Sequence, residues 1–149
     1  MNVIVGSDER TALTDRIVAD LREMGHVVDT VGALAGTDDE WASVGTGVGR
    51  AVASATAEVG VLFCWTGTGA SIAANKVPGV RAALCADADT ARMARRYNHA
   101  NVLVMSLRLT SETVGSEILT AFLESPDGDE EFDLRNVAEL GRLDGSTGQ

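Results

Sequence analysis

The sequence predicts an α/β fold in three layers, with a doubly wound, five-stranded parallel sheet between two layers of helices. Three observations predict it. Apolar runs of strand length alternate five times with stretches of helical periodicity, which implies a parallel sheet with right-handed crossovers. The run from Val59 to Phe63 is apolar throughout, as a strand covered on both faces is. Residues 59–76 read as strand, glycine turn and helix, and ligands of such sheets bind beyond the carboxyl ends of the strands, near the topological switch point.

In chain order, Asn2 to Val5 reads as the first strand and Gly6-Ser7-Asp8 as the turn after it, with Asp8 a candidate helix cap. Residues 10–24 carry Leu13, Ile17, Val18, Leu21 and Met24 on one face and end at Gly25, the pattern of an amphipathic helix. Val27 to Val31 is the second strand. Asp38, Asp39 and Glu40 close a solvated loop and open a helix with Trp41, Val44, Val48, Val52 and Ala55 at spacings of three and four. After the strand at Val59–Phe63, a helix is expected over Ser71–Lys76, closed by Pro78-Gly79, and then a strand over Val80–Cys85. Asp87 and Asp89 open a helix to about Tyr97, Asn101 to Ser106 is the fifth strand, and Ser111 caps a helix with Val114, Ile118, Leu119 and Phe122. Residues 124–133 hold six acids, Pro126 and Gly128, so they read as an exposed linker. Phe132, Leu134, Val137 and Leu140 predict a short terminal helix that needs a surface to cover, and a second subunit is one candidate. A disordered end is expected over Asp144–Gln149.

The 149 residues read as a single domain, of which about 124–149 form the acidic linker and C-terminal segment. No run approaches the ~18 apolar residues of a membrane span, and the chain begins directly in a strand, so no signal peptide is expected. Two cysteines, each at a strand end, do not form a disulfide framework and point to a reduced, cytoplasmic setting. A net charge of −10 argues against nucleic acid or an anionic membrane as partner.

The chemistry concentrates in Cys64-Trp65-Thr66-Gly67-Thr68-Gly69. A strand end, a glycine turn and a helix start aim unpaired backbone N–H groups at one point, which suits a phosphate or a negative charge that develops during a reaction. Their partial positive charge favours a thiolate at Cys64 and an enediolate oxygen in the same place. Cys85 reads as core. Gly67-x-Gly69 is not a dinucleotide fingerprint, because Ile72 stands where the third glycine would be.

The stretch Cys64 to Ala82, Cys-x-Thr-Gly-x-Gly-x-Ser-Ile-Ala-Ala-Asn-Lys-x-x-Gly-x-Arg-Ala, closely resembles the ribose-5-phosphate isomerase B and galactose-6-phosphate isomerase family. Gly6-Ser7-Asp8, residues 98–103 and Arg108 resemble it as well, and the likeness spans roughly residues 2–123. The resemblance implies a Rossmann-like fold, a homodimer or tetramer with active sites shared between subunits, and aldose–ketose isomerisation without metal or cofactor. It implies Cys64 as the base that moves a proton between adjacent sugar carbons and Thr66 as the carrier of hydroxyl protons. The amides of Gly67, Thr68 and Gly69 would hold the enediolate, and Asp8, Glu9, Trp65, Tyr97, Asn98, Arg108 and Arg135 complete the expected substrate site. A second branch of the family places a glutamate where this chain has Ala70, which leaves Cys64 as the candidate base.

Several positions depart from the family pattern. Glu9 stands where a phosphate-gripping histidine is usual, Tyr97 where a ring-opening histidine is, and His99 at a usually acidic position. Trp65 replaces a glycine. Phe132-Asp133-Leu134-Arg135-Asn136-Val137 lacks both aligned phosphate-binding arginines, with Arg135 one place away. Lost cations and added acids make dianionic phosphate a poor ligand. The expected function is therefore an isomerase of this type acting on an altered substrate, a small aldose, ketose or α-hydroxycarbonyl compound that need not carry phosphate. Three alternatives stand beside it: a subunit of a heteromeric isomerase, a non-catalytic sugar- or nucleotide-binding protein, and a relative with different chemistry in a specialised pathway.

Overall fold

The structure, a computed structural model, describes residues 1–145. The chain runs β1 (Asn2–Ser7), α1 (Ala12–Glu23), β2 (Val27–Gly32), a 3-10 turn (Ala33–Ala35), α2 (Trp41–Ala53), β3 (Val59–Cys64), α3 (Thr68–Asn75), β4 (Ala82–Leu84), α4 (Ala88–Asn98), β5 (Val102–Ser106), α5 (Glu112–Glu124) and α6 (Glu131–Gly145). All five strands are parallel, in the order β2-β1-β3-β5-β4. The expected three-layer α/β fold is observed. No helix among the described residues is long and apolar enough to cross a membrane.

Side chains of a strand alternate between the two faces of the sheet, and the two cores follow that alternation. Val3, Val5, Val61, Phe63, Leu103 and Met105 pack with Leu13, Ile17, Ala91, Ala94, Ile118 and Phe122, which places α1, α4 and α5 on one face. Leu62, Cys64, Val102 and Val104 pack with Val44, Val48, Ala70 and Ala74, which places α2 and α3 on the other. β3 is buried at every residue, which explains its unbroken apolar run.

This winding makes the carboxyl end of β3 the switch point. The chain leaves β3 for α3 on one face, while its two neighbours, β1 and β5, lead to α1 and α5 on the opposite face. A crevice opens on either side of Cys64 as a result.

Several boundaries differ from the sequence expectation, among them the end of α2 at Ala53, which leaves Ala55 outside it, and a fifteen-residue α6 from Glu131 where a linker to residue 133 and a short helix are expected. α3 begins at Thr68 rather than Ser71; threonine and glycine are weak helix formers, and packing on α2 overrides that preference. β4 is three residues long instead of Val80–Cys85. The side chains of Asn101 and Asn75 accept from the Arg81 and Ala82 amides, both at 2.8 Å, and so occupy donors the ladder would use. The cap of α1 is Thr11, in a reciprocal capping box with Thr14, and not Asp8. α6 continues through Asp144 and Gly145, and Asp144 accepts from the Gly79 amide at 2.8 Å. The expected disordered end is thus corrected for these two residues, and 146–149 lie outside the described residues.

Candidate active site

Three strand exits meet at the switch point. The parallel register sets Ser7 beside Phe63 and Cys64 beside Ser106, so Asp8, Trp65 and Leu107 leave the sheet next to one another.

At the β1 exit, Ser7 is fully buried; its Oγ donates to the Glu9 carbonyl at 2.5 Å and accepts from the Glu9 amide at 3.2 Å. This turn leaves Asp8 Oδ1 buried without a hydrogen-bond partner. An unpaired buried acceptor costs about 1–3 kcal/mol, a cost that a hydroxyl donor from a ligand would remove. Glu9 is exposed at the rim.

At the β3 exit, Cys64 is 5% exposed and its side chain lies in the layer under α3, among Ala70, Ala74 and Val104. Its carbonyl accepts from the Leu107 amide at 3.0 Å, and the Trp65 carbonyl accepts from the Arg108 amide at 2.9 Å and Ser106 Oγ at 2.9 Å. The loop is therefore latched to the β5 exit by its backbone, while the Trp65 indole stands half out in solvent, 55% exposed. Thr66 Oγ1 and Thr68 Oγ1 are hydrogen-bonded at 2.7 Å, and either hydroxyl can be the donor. Gly67 has φ +79°, and a Cβ there would lie 2.5 Å from Leu84 Cδ1 and 3.3 Å from the Met105 carbonyl carbon, so only glycine fits this turn. The first helical bond of α3 runs from the Ser71 amide to the Gly67 carbonyl at 3.1 Å. The amides ahead of it have no partner within the helix, at the position where the sequence suggests that a negative charge would be held.

At the β5 exit, Arg108 is held by its backbone, and no described residue forms an ion pair with its guanidinium. The three neighbouring strand exits thus carry a thiol, two hydroxyls, unpaired amides, a carboxylate oxygen and a cation. Such a set can move a proton between carbon and sulfur beside a stabilised oxyanion.

The family model described as Ribose/Galactose Isomerase matches residues 3–140. The chain belongs to the ribose/galactose isomerase family. It is 36% identical over 123 residues to the galactose-6-phosphate isomerase subunit LacB of Clostridium acetobutylicum, covering 80% of this chain and 71% of that one. It is 35% identical over 111 residues to ribose-5-phosphate isomerase B of Escherichia coli, covering 74% of each. The type B ribose 5-phosphate isomerase structure from Trypanosoma cruzi superposes with a TM-score of 0.90 at 35% identity, over 98% of this chain and 99% of that one.

Within this family member, three expected site residues stand apart from the rest. α4 runs back across the sheet, so Tyr97 and Asn98 end at the amino edge. There Asn98 lines a hollow with Asn75, Val80, Arg81 and Leu140. The Arg96 guanidinium lies over the Tyr97 ring, 5.8 Å from its centroid. Arg135 lies on α6 and pairs with Glu131 at 2.7 Å. A single chain brings together Asp8, Glu9, Cys64, Trp65, Thr66, Gly67, Thr68, Gly69 and Arg108, and leaves Tyr97, Asn98 and Arg135 elsewhere.

Two residues at the site escaped sequence reasoning. Ser106 is buried and bridges the Trp65 carbonyl and the Leu109 amide; a hydroxyl ending an otherwise apolar strand was the available signal. Trp41 reads as one more apolar position of α2, yet its ring covers Gly69 at 3.0 Å from where a Cβ would stand. Cys85, in contrast, is 1% exposed and belongs to the core. Burial, and then Asp87, push its thiol up to about 11.

Proposed function

We propose that this member of the sugar-phosphate isomerase family interconverts an aldose and its ketose, with Cys64 as the base. The Cys64 thiolate takes the proton from the carbon beside the open-chain carbonyl, and the electron pair moves into an enediolate. The amides at the start of α3 hold the negative oxygen. Thr66, bonded to Thr68, passes the hydroxyl proton between the two oxygens. Returning the proton from Cys64 to the neighbouring carbon completes the exchange, with no net change in redox state.

The observation that carries this reading is the placement of Cys64, which ends β3 at the switch point and under the first turn of α3. The buried, unpaired Asp8 Oδ1 supports a polyhydroxylated substrate, since a sugar hydroxyl would satisfy it. Tyr97, Asn98 and Arg135 would enter the site from a second copy of the chain, in a homodimer or tetramer. An apolar stripe of α6 supports that assembly, because Phe132 and Leu140 lie on one side of the helix and are exposed on the single chain.

The substrate is gripped through its hydroxyls more than through a phosphate. Within one chain Glu9 is exposed beside the β1 exit and Arg108 is the cation at the β5 exit, while the Arg135 that a second copy would bring carries Glu131 with it in an exposed ion pair. It follows that inorganic phosphate competes weakly and that ribose 5-phosphate turns over poorly beside Escherichia coli ribose-5-phosphate isomerase B. Equal efficiency of the two enzymes would refute the altered grip.

The test of the base is solvent-deuterium incorporation at the substrate's α-carbon, followed by mass spectrometry. Cys64→Ala should reduce it by about a hundredfold or more with ligand binding roughly kept. Incorporation near the wild-type rate would move the base elsewhere, with Glu9 the next candidate.

A further inference from the structure

The helix whose first amides are proposed to hold the enediolate has no side-chain cap on its first turn. α3 has eight residues, and its N-cap is Gly67. Helices this short are marginal without tertiary packing, and Thr68 and Gly69 are among the weaker helix formers. The rest of α3 is held by close approach to α2. A Cβ on Gly45 would lie 2.9 Å from both the Ala70 carbonyl oxygen and Ala73 Cβ, and one on Gly49 would lie 3.0 Å from Val77 Cγ2. Trp41, Gly45 and Gly49 succeed one another at a spacing of four and line the side of α2 that meets α3.

At the mouth of the site the sizes invert. Here α2 supplies the large residue, Trp41, and α3 the glycine. The six-membered ring of the indole lies over Gly69, with Cε3, Cδ2 and Cζ3 at 3.0–3.2 Å from the position of a Cβ. Trp41 is nonetheless 47% exposed, so it contributes to the core through one face only.

We infer that Trp41 is a positioning residue: its indole, seated on Gly69, presses the first turn of α3 into place and so aligns the amides that face Cys64. The catalytic part of this inference rests on the enediolate reading above; the mechanical part does not. Gly69 is then glycine because the ring needs the space, and the bond between Thr66 and Thr68 steadies the turn from the other end.

Amide hydrogen exchange tests the mechanical part without any substrate. The Ser71 amide makes the first hydrogen bond of α3 and reports the integrity of that turn. In Trp41→Ala it should exchange about tenfold faster or more while amides of α5 change little, and Trp41→Phe should restore most of the protection. A double-mutant cycle adds the coupling. Gly69→Ala should lower kcat strongly in the wild-type background and much less beside Trp41→Ala, where the methyl occupies vacated space. Turnover is read on whichever of ribose 5-phosphate, galactose 6-phosphate, ribose or galactose the wild type converts fastest, and kcat should fall about tenfold with KM nearly unchanged.

Unchanged Ser71 exchange, or acceleration spread equally through β3 and α5, would overturn the inference, as would additive effects of the two substitutions. Should Trp41→Ala fail to fold, Trp41→Leu carries the same measurements. If Cys64→Ala retains deuterium incorporation, the enediolate reading fails, while the Ser71 result still decides whether Trp41 holds the turn.

Discussion

Cys64 and Cys85 are both buried, but their surroundings give them different chemistry. Cys64 lies at a switch point beneath unpaired amides. Cys85 follows the edge strand β4, donates a weak thiol bond to the Ala83 carbonyl at 3.6 Å, and has Asp87 nearby. Burial raises Cys85 from its ordinary 9.0 to about 11, so the folded protein keeps this thiol protonated at a pH where the unfolded chain ionises it. Its contribution to stability is complete below about pH 9 and is lost as the pH rises through about 11. Denaturant titrations at pH 8 and 10.5 should therefore show a larger loss for the wild type than for Cys85→Ala. Equal losses would mean that the thiolate is accommodated. At neutral pH the same substitution should cost on the order of 1 kcal/mol or less.

Among the elements, α1 shows how a cap frees a functional residue. Thr11 accepts from the Thr14 amide, and Thr14 Oγ1 accepts from the Thr11 amide, so the helix start needs nothing from Asp8. Thr11→Ala should cost about 1 kcal/mol and lower Tm without altering the kcat of whatever sugar is turned over. A loss of kcat at full occupancy would instead tie the cap to Asp8. The sequence offers Asp8 as a candidate cap, and the Thr11–Thr14 pair, with the right spacing, is the one the fold uses. The strands, the helix order and the loop from Cys64 to Gly69 were legible because each is a contiguous pattern. The seat of Trp41 on Gly69 was not, since it joins two helices through packing rather than sequence proximity. The shortness of β4 was hidden for a related reason. Asn75 lies in the preceding helix and Asn101 beyond the following one, and only the folded chain shows them taking the Ala82 and Arg81 amides.

At the scale of the whole molecule, the proposed function makes the single chain an incomplete site. The crevice around Cys64 lies at the carboxyl edge of the sheet, while Tyr97 and Asn98 lie at the amino edge with an exposed apolar helix nearby. The proposed dimer with shared sites would account for both. Light scattering at micromolar concentration should give twice the mass of one chain or a multiple of that. A uniform monomer with full activity would show instead that one chain suffices.

The latch between the β3 and β5 exits also sets where the chain can change length. The carbonyls of Cys64 and Trp65 meet the amides of Leu107 and Arg108 one for one, and Ser106 fastens the corner. One residue added on either side would put every pair out of step and turn the Cys64 loop away from its crevice. Residues 36–40 carry no such pairing to another strand exit; Thr37 ties back only to Gly32 and Asp39. Insertions and deletions among relatives of this chain should therefore collect before α2 and be absent from residues 64–70 and 106–109.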